Sequence, residues 1–153
     1  MEVRIQPPRK HQGRVCRKIL EDLPEWFGIE SAREDYIREV DRLPTLVATR
    51  DGKAVGFMAL YLHSPQCAEL YVLGVLRRFH HQGIGRQLLA ASEAWLKEQG
   101  LCFLQVKTLA PEADDENYDR TRHFYESAGF VPLEVFPDLW DEHNPCLQMI
   151  KTL

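Results

Sequence analysis

The stretch over residues 75–86 constrains the fold of this chain more than any other part of its sequence. A strand pattern rich in Leu, Tyr and Val ends at Val75, and an amphipathic helix pattern runs over 83–99. The loop between them carries two glycines, Gly83 and Gly85. A helix N-terminus has free backbone N–H groups and is electropositive, and glycines let an anion approach the backbone closely. The pattern therefore predicts a strand–loop–helix unit that can bind a pyrophosphate.

Two other kinds of nucleotide-binding loop do not fit these residues. A dinucleotide-binding fingerprint requires a third glycine, but Gly85 is followed by Arg86, Gln87 and Leu88. A Walker loop requires Gly-Lys followed by Ser or Thr, and this loop lacks that sequence. On spacing alone, the two glycines are also compatible with an ordinary strand-to-helix turn.

Hydrophobic periodicity and turn residues divide the rest of the chain into short elements. Ser31 followed by Glu34 forms a capping-box pattern, and Asp119 can cap a later helix that ends before Gly129. Residues 137–145 are predicted to be a loop. The predicted strands cover 3–6, 45–50, 53–63, 67–75, 101–109, 130–136 and 146–153, and the predicted helices cover 9–22, 31–43, 83–99 and 119–128.

The predicted order of elements is β-α-α-β-β-β-α-β-α-β-β. This order is typical of an α/β (mixed α+β) fold, in which about four helices flank a mixed sheet. A length of 153 residues is about that of one domain, so residues 1–153 are predicted to form a single domain. The apolar fraction of 44% and the charged fraction of 27% are those of a globular protein.

Composition excludes several classes of protein. A net charge of -4 argues against a nucleic-acid partner, which usually needs a basic patch. The most apolar stretch, residues 54–62, is about half as long as a membrane-spanning helix, so no membrane association is predicted. The N-terminus lacks the apolar core of a signal peptide, and four scattered cysteines predict reduced thiols, so a cytoplasmic location is expected. Zinc-ligand spacings and a G-x-S-x-G elbow are both missing from the sequence, so no metal site or serine hydrolase is predicted.

Two motifs resemble those of one enzyme family. Residues 75–86, VLRRFHHQGIGR, resemble the acetyl-CoA pyrophosphate motif of the GNAT acetyltransferases, and residues 123–130, HFYESAGF, are similar to the F-Y-x-x-x-G-F signature of the same family. The motifs occur in the family's order, and the predicted element order fits over the whole chain. His80 stands where the family usually has Arg or Gln, and Arg77 where Pro is usual, so we expect altered coenzyme affinity rather than lost binding.

The resemblance implies a GNAT-like acyl-CoA N-acyltransferase fold whose sheet splays between the fourth and fifth strands. It implies acetyl-CoA as co-substrate and no metal. Backbone amides near Leu73, Gly74 and Val75 would bind the pantetheine and the acetyl carbonyl, with Gly74 suited to a bulge or a close ligand approach. The loop and helix start would bind the pyrophosphate through His80, His81, Gln82, Gly83, Ile84, Gly85 and Arg86.

The resemblance also implies catalytic residues. Tyr125 would direct its hydroxyl at the coenzyme sulfur as a general acid, unless it is only a packing tyrosine. Glu69 is the candidate general base, on a strand face predicted to be shared with Tyr71, Leu73 and Val75. Glu69 could instead form a structural ion pair. His63, at the end of the preceding strand, is a competing base that could also be a solvated turn residue.

The resemblance implies an acceptor pocket between the first two helices, the strand that carries Glu69 and the last hairpin, and two aromatic-rich segments lie in this region. Trp26 and Phe27 precede the second helix, Trp140 lies in the last predicted loop, and acidic residues near them could hold a cationic amine. The same aromatics could instead cap the core or form a homodimer surface. The expected reaction is transfer of acetyl from acetyl-CoA to a primary amine by direct attack in a ternary complex, with a small cationic amine as acceptor. The alternatives are an inactive acyl-CoA sensor and an N-acyltransferase that uses a longer acyl group. The acidic residues considered are Glu25, Asp138, Asp141 and Glu142.

Overall fold

The computed structural model describes residues 2–153, which form a seven-stranded mixed sheet flanked by four α-helices. The strand order across the sheet is β1-β2-β3-β4-β5-β7-β6. The strands are β1 Val3–Ile5, β2 Thr45–Arg50, β3 Lys53–Leu62, β4 Cys67–Val75, β5 Phe103–Leu109, β6 Val131–Asp141 and β7 Asn144–Thr152. The helices are α1 Gly13–Glu21, α2 Glu30–Val40, α3 Ile84–Glu98 and α4 Glu116–Ser127.

The sheet splits between its two parallel strands, as the family resemblance implied. β4 and β5 pair in parallel from Cys67 and Phe103 as far as Leu70 and Val106, and their pairing ends there. Both strands continue beyond that point, β4 against β3 and β5 against β7. The last residues of β4 and β5 therefore face each other across an opening instead of hydrogen-bonding.

Two apolar cores lie on the two faces of this sheet. On one face, α1 and α2 bury residues such as Ile19 and Val40 against Phe57. On the other face, α3 buries Leu88 in a cluster that also contains Phe130 from the chain that follows α4. The sheet is thus a rigid middle layer, and its opening lies between helices on both sides.

A bulge in β4 changes which side chains share a face. Two residues of β4 pair with consecutive residues of β3, which leaves Tyr71 as an extra residue. A bulge of this kind shifts the alternation of side chains by one position. Leu73 and Val75 consequently pack on the α3 side, whereas Tyr71 packs on the α1–α2 side. The prediction that Glu69 and Tyr71 share a face with Leu73 and Val75 is therefore wrong.

Gly74 is required by helix packing. A Cβ atom at Gly74 would lie 2.9 Å from Cγ2 of Ile19 on α1 and 3.3 Å from Phe57. The extra residue in the strand is Tyr71, so Gly74 does not form the predicted bulge. Its missing side chain lets α1 lie directly on β4.

The predicted helix starts are wrong for three helices. α1 begins at Gly13 because the backbone of Arg9 still pairs with Thr45 at the sheet edge. α2 begins at Glu30, one residue before the predicted cap, where an acidic residue favours the first turn. α4 begins at Glu116, and its cap is Asp115, whose carboxylate accepts the backbone N–H groups of the second and third helical residues.

The predicted loop over residues 137–145 is instead the end of a long hairpin. β6 runs to Asp141 and β7 begins at Asn144. Pro137 does not stop β6 because this strand is the edge of the sheet, where a residue without an N–H donor is tolerated. The hairpin carries Trp140 back over the opening between β4 and β5.

In residues 2–153, none of the helices has the length and apolar character needed to cross a membrane. All four cysteines are free thiols. Cys16 and Cys146 are buried, whereas Cys67 is half-buried and Cys102 is exposed.

Candidate active site

A cavity of about 1010 Å³ occupies the opening between β4 and β5. The backbone of β4 presents hydrogen-bonding groups to it. The amide of Leu76 donates to Val55 on β3, and in an antiparallel pair such groups alternate in direction along the strand. The N–H groups of Leu73 and Val75 therefore point toward the opening, and that of Gly74 points toward β3. Of the three predicted amides, two are free to meet a ligand.

The glycine loop borders one end of this cavity. Gly83 is the N-cap of α3 and has a φ of 79°, a conformation that favours glycine. A Cβ atom there would have no neighbour within 4 Å, so its absence leaves open space beside the helix N-terminus. Gly85 differs, because a Cβ atom on it would lie 3.4 Å from the ring of Phe124. Both glycines line the cavity, and a side chain at Gly85 would contact Phe124, whereas the position at Gly83 is open.

The other predicted loop residues have separate roles. His80 donates from Nε2 to the carbonyl of Val75 at 2.7 Å, so its ring ties the loop to the end of β4. His81 lies at the cavity, and Ile84 anchors α3 in the core. Gln82 donates to the carbonyl of Arg78 at 3.4 Å and is not part of the cavity wall. Arg86 lies at the cavity and donates to Oγ of Ser127 at 2.8 Å.

The charged side chains around this cavity favour an anion. Within the described part of the chain, Asp119 is the acidic residue of its wall, and that carboxylate is paired with Arg122. Basic residues outnumber it, so the wall attracts negative charge such as a pyrophosphate. The basic residues of the wall are Arg77, Arg86, Arg120, Lys107, His80, His81 and His123.

Tyr125 lies near the end of α4 and in the wall of the same cavity. Its side chain is almost fully buried, and burial raises the pKa of Tyr125 above its ordinary value, so the phenol remains a donor at neutral pH. Within residues 2–153, the Tyr125 hydroxyl has no hydrogen-bond partner. A buried hydroxyl beside a cavity and without a protein partner is available to a ligand.

Trp26 and Phe27 border this larger cavity. Nε1 of Trp26 donates to Oγ1 of Thr121 at 3.1 Å, and the hydroxyl of Tyr118 donates to the Trp26 carbonyl at 2.7 Å. The connector between α1 and α2 is thereby tied across the cavity to α4. These two aromatics lie with the predicted coenzyme residues and not beside Glu69.

A second cavity of about 370 Å³ adjoins the first on the α2 side of the sheet. Glu69, His63 and Trp140 line it, together with Asp35 of α2. Of the acidic residues predicted nearby, Glu25 is bound by Arg77, whose guanidinium holds the pKa of Glu25 below its ordinary value. The walls of the two cavities share Tyr36, Tyr71, Lys107 and Trp140.

Glu69 is at the centre of a short hydrogen-bonded cluster. Its Oε1 lies 2.6 Å from Nε2 of His63 and 3.0 Å from Nζ of Lys107. The side chain of Glu69 is 7% exposed and that of His63 is 37% exposed. The two predicted candidates for the base, Glu69 and His63, are therefore partners in one cluster, and Lys107 adds a positive charge to it.

Sequence reasoning missed Lys107 and the three tyrosines beside it. Lys107 follows the end of the β4–β5 pairing and projects to the same face as Glu69. The alternation of side chains along β5 can be read from the sequence. The contact between Lys107 and Glu69 depends on the strand order in the sheet, which the alternation does not give. Across residues 2–153, no three His, Cys, Asp or Glu side chains come together as a metal site.

A family model described as the acetyltransferase (GNAT) family matches residues 14–130. The chain belongs to the GNAT family of acetyltransferases. An N-acetyltransferase of Chlorobaculum tepidum is 30% identical over 70% of this GNAT chain and 69% of its own length. The amino-acid acetyltransferase of Ectopseudomonas mendocina is 32% identical over 70% of this chain, but the chain spans 22% of that longer protein.

Solved structures share the GNAT fold at low sequence identity. A GNAT acetyltransferase from Elizabethkingia anophelis with acetyl-CoA bound superimposes with a TM-score of 0.75. It is 16% identical, and the match covers 99% of this chain and 98% of that one. The mixed sheet with its split between β4 and β5 is therefore the architecture of this family.

Proposed function

We propose that this chain acts as a single domain that transfers an acetyl group from acetyl-CoA to a primary amine by direct attack in a ternary complex. The observation that carries the proposal is the pair of adjoining cavities at the split in the sheet. Tyr125 borders the larger cavity, Glu69 borders the smaller one, and Lys107 lies in the wall of both. The coenzyme and the amine can thus meet between Tyr125, a hydrogen-bond donor, on one side and Glu69 with its hydrogen-bonded partners on the other.

The larger cavity fits a coenzyme that carries a pyrophosphate. The charged residues of its wall are mainly basic, and Gly83 keeps the space beside the α3 N-terminus open. The amides of Leu73 and Val75 can hold the extended arm of the coenzyme along β4. Acetyl-CoA supplies its acetyl group as a thioester, which an amine can attack without a metal.

The protein groups have separate tasks in the transfer. The hydrogen-bonded cluster of Glu69, His63 and Lys107 removes a proton from the amine nitrogen. The N–H groups of Leu73 or Val75 donate to the carbonyl oxygen as negative charge develops on it. Tyr125 donates its hydroxyl hydrogen bond to the departing sulfur. The cationic amine loses one proton before it attacks and a second as the new C–N bond replaces the C–S bond; one of these protons goes to the thiolate and the other to solvent.

The smaller cavity supports a small cationic amine as acceptor. Asp35 and Glu69 provide negative charge, and four aromatic side chains provide an apolar wall that can also bind a cation over its rings. The aromatic residues are Tyr36, Tyr61, Tyr71 and Trp140.

Thermal unfolding with and without acetyl-CoA tests the coenzyme site. A ligand at about 100 times its Kd stabilises by about 2.7 kcal/mol, so the midpoint should rise by several degrees. Gly83→Ala should largely abolish this rise, because the added methyl enters the space beside the helix N-terminus. Gly52→Ala is the matched control, since Gly52 also has a positive φ, 75°, and an open Cβ position, but lies in the β2–β3 turn.

Both glycine variants should lose about 1 kcal/mol of stability from the strain of a positive φ. Only Gly83→Ala should lose the response to acetyl-CoA. If acetyl-CoA raised the unfolding midpoint equally in both variants, the coenzyme would bind at a place other than the Gly83 loop. A full response in the native protein, without CoA release in the presence of any tested amine, would favour the acyl-CoA sensor.

A further inference from the structure

The cluster around Glu69 assigns different roles to two residues that both looked like bases. We infer that His63 accepts the proton from the amine at Nδ1 and that Glu69 positions its ring. This inference rests on the proposed acetyl transfer and names the proton acceptor within it. The geometry that carries it is the sharing of one oxygen, Oε1 of Glu69, by His63 at 2.6 Å and Lys107 at 3.0 Å.

The shared oxygen determines where the protons are. Lys107 carries an ammonium group, which can only donate hydrogen bonds. An oxygen that accepts from this ammonium while lying 2.6 Å from His63 is ionised and accepts from both neighbours. Nε2 of His63 is consequently the protonated ring nitrogen. In the neutral ring, Nδ1 then carries the free lone pair.

The position of His63 suits a proton acceptor better than that of Glu69. Both line the acceptor cavity, but the side chain of His63 is 37% exposed and that of Glu69 is 7% exposed. The ring of His63 stacks on Tyr61, with centroids 4.4 Å apart. Within the described residues, Nδ1 of His63 has no hydrogen-bond partner. The ring is therefore held in place while its second nitrogen stays free.

Charge within the cluster supports the same assignment. Oε1 of Glu69 already accepts from two protein donors, one of which is the ammonium group of Lys107. A proton on Nδ1 produces an imidazolium whose other nitrogen still donates to the ionised Glu69. The amine N–H bond breaks, its electron pair becomes free to attack the carbonyl carbon, and Lys107 keeps its proton. The titratable groups around this ring are Asp35, Tyr36, Tyr61, Glu69, Tyr71 and Lys107.

The first test measures the tautomer of His63 in the free protein and needs no substrate. Nitrogen-15 NMR at pH 8 should show Nε2 of His63 protonated and Nδ1 unprotonated. Glu69→Ala should remove this preference because the acceptor for Nε2–H is lost. His63→Gln identifies the resonance. A proton on Nδ1 at pH 8 would overturn the inference, whatever the acceptor proves to be.

The second test follows CoA formation from acetyl-CoA with putrescine and with tyramine as amines. His63→Gln should lower kcat by about 100-fold or more and remove the acid limb of the pH profile, with the KM for acetyl-CoA unchanged. Glu69→Gln should cause a smaller loss and keep the acid limb. The double variant should be no slower than His63→Gln, because the two residues act as one unit.

His143→Gln is the control for replacement of a histidine, because His143 is exposed in the β6–β7 turn. A native rate and pH profile in His63→Gln, with both lost in Glu69→Gln, would make Glu69 the direct base and overturn the inference. The NMR result tests the tautomer of His63 and does not depend on the proposed function. If the native protein releases no CoA with either amine, the acetyl transfer to these amines fails while the assigned tautomer is still tested.

Discussion

Two tyrosines in the wall of the larger cavity, the half-buried Tyr118 and the buried Tyr125, differ in one hydrogen bond. The hydroxyl of Tyr118 donates to the carbonyl of Trp26 at 2.7 Å, whereas that of Tyr125 has no partner within residues 2–153. The difference is consistent with a structural role for Tyr118 and a ligand-directed role for Tyr125.

Tyr125→Phe should lower kcat by about 100-fold and leave the free energy of unfolding within about 0.5 kcal/mol of the native value, because no protein hydrogen bond is lost. Tyr118→Phe should behave in the opposite way and lose about 1 kcal/mol of stability. Turnover assays and urea unfolding measure the two effects.

The pH dependence of the native enzyme provides a second check on Tyr125. Burial raises the pKa of Tyr125 above its ordinary value, so the phenol keeps its proton and the rate should not fall between pH 8 and pH 10 through loss of this donor. A native rate in Tyr125→Phe would show that the departing thiolate is protonated without it.

At the level of single residues, the sequence motif was informative where backbone conformation is local. Gly83 was correctly expected at the loop because a strand-to-helix turn there favours a positive φ. The partners of Glu69 could not be predicted, because Lys107 lies 38 positions away and reaches it only through the parallel pairing of β4 and β5.

At the level of elements, α4 connects the two ends of the coenzyme cavity. Its N-cap, Asp115, accepts the amides of Asn117 and Tyr118 at 2.9 and 3.2 Å. Tyr125 lies at the other end of the helix, and Thr121 between them holds Trp26. The cap therefore supports both the wall of the cavity and the proposed donor.

Asp115→Ala should lower the free energy of unfolding by about 1 kcal/mol, because two helix amides lose their acceptor. Asp115→Asn should keep most of the stability, since asparagine is an equally good cap. Denaturant unfolding distinguishes the two variants. Equal stability of native protein and Asp115→Ala would mean that water replaces the cap at no cost.

Element boundaries were predicted best where the chain chemistry is local. The strand–loop–helix unit over 75–99 was placed within two residues, because its glycines and helical periodicity coincide. The length of the β6–β7 hairpin was underestimated. Pro137 predicts a loop unless the strand is known to lie at the edge of the sheet. The bulge at Tyr71 was also missed, because it depends on the pairing of β4 with β3.

At the level of the whole molecule, the long edge strand β6 leaves apolar side chains exposed. Val131 and Leu133 are each 57% exposed, and Leu139 is 54% exposed. Exposed apolar side chains grouped along one strand form a surface that a second copy of the chain can cover. We propose that β6 forms the contact of a homodimer.

Leu133→Lys should shift the protein toward monomer, because a charge there opposes the burial of this apolar surface. Ile29→Lys is the matched control, since Ile29 is 58% exposed but lies on the connector before α2. Light scattering with size-exclusion chromatography measures the mass. A native protein that stays monomeric at high concentration would contradict the proposal.

The order of elements was enough to predict a mixed sheet flanked by helices, and the family resemblance implied the split of the sheet. It was not enough to place the aromatic residues. Trp26 and Phe27 were expected beside the amine, but they border the larger cavity, because Tyr118 and Thr121 bind Trp26 at α4. Trp140 does reach the smaller cavity, since β6 extends that far.

The wall common to the two cavities has a consequence for selectivity. Tyr36, Tyr71, Lys107 and Trp140 border both spaces, so in the proposed reaction the acyl donor and the acceptor lie against the same four side chains. An acyl chain long enough to displace these side chains would narrow the space left for the acceptor. In the proposed reaction we therefore expect acyl length and acceptor size to compete, and each ligand to change the affinity for the other by the same factor.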